Sequence, residues 1–219
     1  MRASILIACE CSQVERNAFA GVGLEAWSAD LQPCYGGHPE WHYRGDMFDL
    51  IGTAGRMVEM QDGTLRRVPK WDAVIAHPPC TYLAQVGAAT RAYGGGEKAE
   101  KYLARMREAA DFFKRCLNID VMFLAVENPR PCPLAGLPRH NFIVYPDRFG
   151  SRWSKRTHWW VSNLPPLIPM MAANPRRSSA VSNRRGQKRS ESFPEVAEAM
   201  AAQWGGIIKI THKIKSDLL

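Results

Sequence analysis

Two side chains carry the most legible chemistry in this sequence, Cys80 and Glu127. Cys80 closes the run His77-Pro78-Pro79-Cys80, directly after the apolar stretch Ala73-Val74-Ile75-Ala76. The two prolines remove backbone donors and stiffen the approach, which holds the thiol in one place. A thiol becomes a strong nucleophile once it is a thiolate. Glu127 follows a second apolar stretch, Val121 to Val126, and Pro129 fixes the turn after it. A carboxylic acid beside an electron-poor ring can protonate a ring nitrogen while a thiolate adds to a ring carbon. Taken singly, Cys80 reads as a buried inert thiol and Glu127 as a cap for the next turn. Taken together, each at the end of a buried strand, they favour chemistry.

Both residues depend on strands for their placement. Ser4 to Ala8 is a short apolar run and reads as a first buried strand. Val14 to Ala20 is expected to be a short helix, stopped by Gly21 and Gly23. Glu25 to Ser28 reads as a second strand, ending at Asp30, and Gln32 to Arg44 as a loop. Asp62-Gly63 within Met57 to Val68 signals a hairpin. Trp71 to Ala76 and Val121 to Val126 are the strands that lead to Cys80 and Glu127. Gly94-Gly95-Gly96 reads as a hinge. Glu97 to Cys116 is the clearest helix: Ala99, Leu103, Met106, Ala110 and Phe113 fall on one stripe. Ile143 to Tyr145 and His158 to Val161 are late strand candidates, and Pro165 to Asn174 reads as irregular. Pro194 to Trp204 is expected to be a helix with Pro at its start and Gly205-Gly206 at its end. Alternating strands and helices imply an α/β fold, with a mainly parallel sheet and helices on both faces. Ligands then bind at the carboxyl ends of the strands. That rule selects one rim: Cys9 to Gln13, Asp30, His77 to Cys80, and Glu127 to Pro129.

The chain has 219 residues, which suits a single domain over 1–219. Its net charge of +8 is unevenly spread. Ser151 to Arg189 holds nine Lys or Arg residues and no Asp or Glu, leaving the remainder close to neutral. A basic insert over 151–193 favours a polyanionic partner, as a reduced DNA-recognition segment would, over a merely solvated loop. No stretch is long and apolar enough to span a membrane. The first residues run quickly into Glu10, too soon for a secretory signal, so a cytoplasmic protein is expected. Six cysteines in a chain of that kind need not form disulfides. Cys9, Cys11, Cys34, His38 and His42 match no common zinc spacing, so no metal is expected. No obligate protein partner is evident. His77 either poises Cys80 or shapes the turn, and Asp72 reads as structural. Trp153, Trp159 and Trp160 could stack on bases or simply fill core.

On these motifs the sequence resembles the cytosine-C5 DNA methyltransferases, and above all their compact phage-type members. His77-Pro78-Pro79-Cys80 is similar to the family's Pro-Pro-Cys motif, and Val126-Glu127-Asn128-Pro129 to its Glu-Asn-Val motif. The resemblance implies a Rossmann-like fold that uses S-adenosylmethionine. It makes Cys80 the nucleophile at cytosine C6 and Glu127 the group that protonates N3, with Asn128 at the substrate. Thiolate addition at C6 would turn C5 into an enamine carbon able to take a methyl group. The resemblance places the cofactor against Cys9, Glu10, Cys11, Ser12, Asp30, Asp46 and Pro78. The stretch Ala8 to Gln13 stands where the family carries a glycine-rich loop, and it contains no glycine. Phe149 to Thr157 is similar to a late motif, which puts Lys155 and Arg156 near the target base. Ser192 to Trp204 occupies the place of the last motif, a helix that closes the cofactor pocket. DNA is the implied partner, read through an extrahelical base. Two other readings stay open: a related pyrimidine-C5 enzyme that takes a free nucleotide or a non-methyl donor, and a non-catalytic DNA-binding relic.

Overall fold

The computed structural model describes residues 2–88, 91–153, 155–170 and 191–218. Seven strands form one sheet in the order β3-β2-β1-β6-β7-β9-β8. They are β1 (Ser4–Ala8), β2 (Glu25–Asp30), β3 (His42–Arg44), β6 (Ala73–Ala76), β7 (Phe123–Pro129), β8 (Phe142–Val144) and β9 (Thr157–Ser162). The first five of these in chain order run parallel. β9 lies antiparallel between β7 and β8. The hairpin expected around Asp62-Gly63 forms a separate ribbon, β4 (Met57–Glu59) against β5 (Leu65–Arg67).

The central strands are buried on both faces, which is why they read as continuous apolar runs rather than alternating ones. Their side chains still alternate between two cores. Leu6, Val74 and Val126 pack with Met106 and Phe113 of α3 (Gly96–Leu117). Ile5, Ile7, Ile75 and Ala125 pack on the opposite face. There they meet Phe19 of α1 (Val14–Gly21) and Met200 and Trp204 of α4 (Pro194–Asp217). A single short turn of helix, α2 (Gln85–Ala88), follows the Cys80 loop. The α/β architecture expected from the sequence, a mainly parallel sheet covered on both faces, is the one observed. None of the described helices is long and apolar enough to cross a membrane. No metal-holding group of His, Cys, Asp or Glu occurs among the described residues. Within the basic insert expected over 151–193, residues 171–190, with Arg176, Arg177, Arg184, Arg185, Lys188 and Arg189, lie outside the described residues.

Three element boundaries differ from the sequence expectation. His42 to Arg44, expected to be loop, pairs with β2 as an edge strand. β7 continues through Glu127 and Asn128 to Pro129, because β9 pairs with it along its whole end. Gly205-Gly206 does not end the last helix, which runs on to Asp217. Gly205 instead lets α4 lie close to the end of α1. A Cβ there would meet Val22 Cγ2 at 3.1 Å and Leu24 Cδ1 at 3.5 Å. The α3 stripe holds, with Tyr102 and Cys116 buried beside the expected residues. Gly95 and Gly96 take positive φ values of 69° and 73°, so the expected hinge is a glycine turn that enters α3.

The two adjacent glycines should therefore respond oppositely to substitution. Gly205→Leu is expected to destabilise by about 1–3 kcal/mol through overpacking. Gly206→Ala, with open space around it, should be neutral or gain up to about 1 kcal/mol of helix propensity. Urea denaturation of both variants checks this, and equal effects would contradict the close approach.

Candidate active site

The sheet order reverses direction between β1 and β6, so the crevice that binds ligands should open beyond the ends of these two strands. The reactive residues gather there. Cys9 follows β1, Asp30 ends β2, Asp46 follows β3, His77 to Cys80 follow β6, and Glu127 lies near the end of β7. Two cavities occupy the crevice. The smaller, about 110 Å³, is lined by Cys80, Glu127, His77, Lys155, Trp159 and Phe193, among others. That is room for on the order of eight to ten water-sized groups, the scale of one substituted heteroaromatic ring. The larger, about 300 Å³, is bounded by Asp30, Asp46, Leu31, Met47 and Phe112. Cys9 and Pro79 line both, so the two cavities meet at these residues.

Cys80 and Glu127 both line the smaller cavity. Burial pushes the Cys80 thiol above its ordinary value; Lys155 pulls it down and Glu127 adds to the rise. Glu127 is nearly buried, and its Oε1 has no hydrogen-bond partner. A buried carboxyl oxygen without a donor is costly unless something else satisfies it. Its other oxygen, Oε2, lies 3.5 Å from His77 Nδ1, and His77 Nε2 lies 2.9 Å from Glu15 Oε2. Pro78 lines this cavity rather than the larger one.

The larger cavity offers apolar walls and two carboxylates, which suits a nucleoside with hydroxyl and amino donors. Asp30 Oδ1 accepts from Gln32 N at 2.8 Å, and Asp46 Oδ1 from Phe48 N at 2.9 Å. These bonds fix both side chains and leave the second oxygen of each available. Gly45 sits under Tyr43, whose ring a Cβ would meet at 2.6 Å. Asp30 and Asp46, with Leu31, Met47 and Phe112 as apolar faces, are thus a fitting set for the adenosyl group of S-adenosylmethionine.

Other expected site residues are placed elsewhere. Glu10, Cys11 and Ser12 line neither cavity. Glu10 is buried and caps α1: its carboxylate accepts from Glu15 N at 2.7 Å, Arg16 N at 3.2 Å and Ser12 Oγ at 3.3 Å. Burial and neighbouring Glu15 push its carboxyl up to about 7, against the pull of those amide donors. Asn128 alternates to the sheet face opposite Glu127, as strand geometry requires. It is fully buried there across from His158, with both polar side-chain atoms unpartnered. Arg156 is exposed outside the cavity, while Lys155 lines it. Trp159 and Trp160 are both buried, on opposite faces, so they are core. Glu15, Glu191 and Phe193 line the smaller cavity without having been singled out from sequence. Glu15 lies seven residues after the end of β1 and has no motif of its own.

No protein-family profile matches the sequence, and no curated protein matches it. Among solved structures, the chain is similar to a crystal structure described as a candidate DNA modification methyltransferase encoded within a prophage (E. coli). The TM-score is 0.42 at 10% identity, over 78% of this chain and 52% of that one. The chain thus spans about half the length of that protein.

The Cys80 environment sets one expectation. Lys155→Gln removes the cation that opposes burial, so the thiol should titrate higher still. Alkylation of Cys80 by iodoacetamide at pH 8, followed on its peptide by mass spectrometry, should slow by about threefold to tenfold. An unchanged rate would mean that Lys155 does not act on the thiol.

Proposed function

We propose that this protein transfers a methyl group from S-adenosylmethionine to C5 of cytosine in DNA, through a covalent bond between Cys80 and C6. The observation that carries the reading is the junction of the two cavities. The smaller is lined by Cys80 and by Glu127, whose Oε1 has no partner; the larger, nucleoside-suited cavity shares Cys9 and Pro79 with it.

Asp30 and Asp46 would hold the adenosyl part of the cofactor. S-adenosylmethionine, when bound, supplies an electrophilic methyl group on a sulfonium. The work of the chain is to make C5 nucleophilic. The Cys80 thiol gives its proton to solvent, and the thiolate, favoured by Lys155, bonds to C6 while Glu127 Oε1 delivers a proton to N3. The electron pair displaced from the ring then resides at C5, as in an enamine. After C5 takes the methyl, a solvent base takes the C5 proton, its electron pair re-forms the C5–C6 double bond as Cys80 leaves as the thiolate, and N3 returns its proton to Glu127. Pro78 and Pro79 keep the sulfur in position through addition and elimination. Trp159 and Phe193 wall the ring off from water.

Exposed cations support a polyanionic substrate. Arg130 directly follows Pro129 and Arg156 directly precedes Thr157, two residues that line the smaller cavity. Arg148 and Arg152 lie over the rings of Tyr145 and Trp153, 4.9 and 4.6 Å from their centroids. A base can reach Cys80 only outside the stack, so the strand must deliver it extrahelically.

The test is transfer of labelled methyl from S-adenosylmethionine to cytosine-containing DNA. Cys80→Ser should lose at least about a thousandfold in rate, and Glu127→Gln about a hundredfold to ten-thousandfold, with both variants folded. Full competition by free cytidine nucleotide would move the substrate to the nucleotide. DNA binding without any transfer by the wild type would mark a non-catalytic binder and end the reading.

A further inference from the structure

The geometry points to His77, held by Glu15, as the residue that positions and charge-balances Glu127 during proton transfer. This inference rests on the reading of Cys80 and Glu127 above.

His77 is the last residue before the Pro-Pro-Cys turn, and its N–H donates to Ala8 O at 3.0 Å, which ties it to the switch point. Its ring is clamped edge-on against Trp159, with centroids 6.0 Å apart and planes at 89°. Each ring nitrogen faces a carboxyl group: Nε2 meets Glu15 at 2.9 Å and Nδ1 meets Glu127 at 3.5 Å. A neutral imidazole has one donor and one acceptor, whereas carboxylates only accept. Glu15 Oε2 and Glu127 Oε2, the latter accepting also when the proton sits on Oε1, are two acceptors, and they are matched only by an imidazolium with both nitrogens protonated. Burial opposes the charged ring, but Glu15 and Glu127 outweigh it and raise His77 well above its ordinary value. The groups facing this ring are Glu15 from α1, Glu10 from the loop after β1, and Glu127 from β7. Cys9, Cys80, Lys155 and Glu191 share the cavity wall.

The arrangement divides labour within Glu127. Oε2 is held toward His77, which leaves Oε1, buried and unpartnered, for the ring nitrogen of a ligand. When the Cys80 sulfur bonds to C6, the proton passes from Oε1 to N3 and leaves a carboxylate behind. A fixed positive charge beside that carboxylate stabilises it without reorganisation. On elimination of Cys80 the same proton returns, so His77 neither gains nor loses one. Glu15 keeps the ring oriented and charged. It is anchored in turn, because its own N–H donates to the buried Glu10 carboxylate.

Two measurements test this. In the full-length protein, without DNA or cofactor, ¹⁵N-histidine NMR reads the six histidines, and His77→Gln assigns the signal. His77 should remain imidazolium well above pH 6.5, and Glu15→Gln and Glu127→Gln should each lower its titration. Titration near pH 6.5, or indifference to both variants, overturns the inference whether or not the protein methylates DNA. In the methyl-transfer assay, His77→Gln should lower kcat by about tenfold to a hundredfold with KM changed less than about threefold. It should also remove the wild-type alkaline fall in kcat. Glu15→Asp should restore most of what Glu15→Gln loses. A wild-type kcat and pH profile in His77→Gln overturns the inference. A wild type that transfers no methyl ends the functional reading, and the titration then still decides the linkage.

Discussion

β1 and β6 lie side by side, parallel, with Ala8 opposite Ala76. A one-residue slip would turn every side chain of a strand to the other core, against the different helices that pack there. Because the strands end level, the chains leaving them start level too. Cys9 emerges beside His77, and the His77 amide bonds Ala8 O. β6 pairs next with β7, Ala76 opposite Val126, which brings Glu127 to the same rim. The distance between an acid on one strand and a thiol four residues past another thus follows from two strand registers. Each further feature of the site, the meeting of two cavities included, hangs on that pairing.

The rim concentrates acid: Glu10, Glu15 and Glu127 are all buried or nearly so, with one histidine among them. Burying charge is costly unless each group is paired. Here the costs are met locally. Glu10 takes the first free amides of α1, where the helix dipole favours an anion. Glu15 takes the imidazole, and the imidazole takes Glu127. The chain of compensation stops at Glu127 Oε1, which is buried and has no hydrogen-bond partner among the described residues. A buried carboxyl oxygen without a partner, on a residue that lines a cavity, is where a ligand donor would offset the cost.

Much of this was legible in the sequence, and the reasons are local. Ala73 to Ala76 and Val121 to Val126 announce buried strands because parallel strands covered on both faces cannot alternate. Pro-Pro before Cys80 and Pro after Glu127 mark where the chain must turn. What was not legible depended on partners far away in sequence. His42 to Arg44 is an edge strand only because β2 offers its free side. Gly205-Gly206 reads as a stop until the close approach of Val22 and Leu24 is known. Asn128 belongs to the Glu-Asn-Pro run, yet strand alternation turns it to the opposite core, because β7 does not end where its apolar run does. Glu15 and His77 meet across 62 positions, a distance no spacing rule spans.

The loop after β1 makes its turns without a glycine. Cys9 and Gln13 both take left-handed backbone, at φ 59°, a conformation that costs a side-chain-bearing residue on the order of 1–3 kcal/mol. Strain of that size persists only where surroundings over-determine it. Gln13 is fully buried, its Nε2 donating to Ser28 Oγ at 3.0 Å and His38 O at 2.8 Å, its Oε1 accepting from His38 N at 3.0 Å. Gly36 lies so close that a Cβ would overlap Ser12 O and Gln13 Cβ. Thus the Gln32 to Arg44 segment, through a glycine at 36 rather than in the loop itself, clamps the turn from outside. Cys9 is then fixed with its sulfur 3.9 Å from Met47 Sδ, at the junction of the two cavities. Its side chain lines both cavities, so the residue that makes the turn strained also forms part of the wall they share.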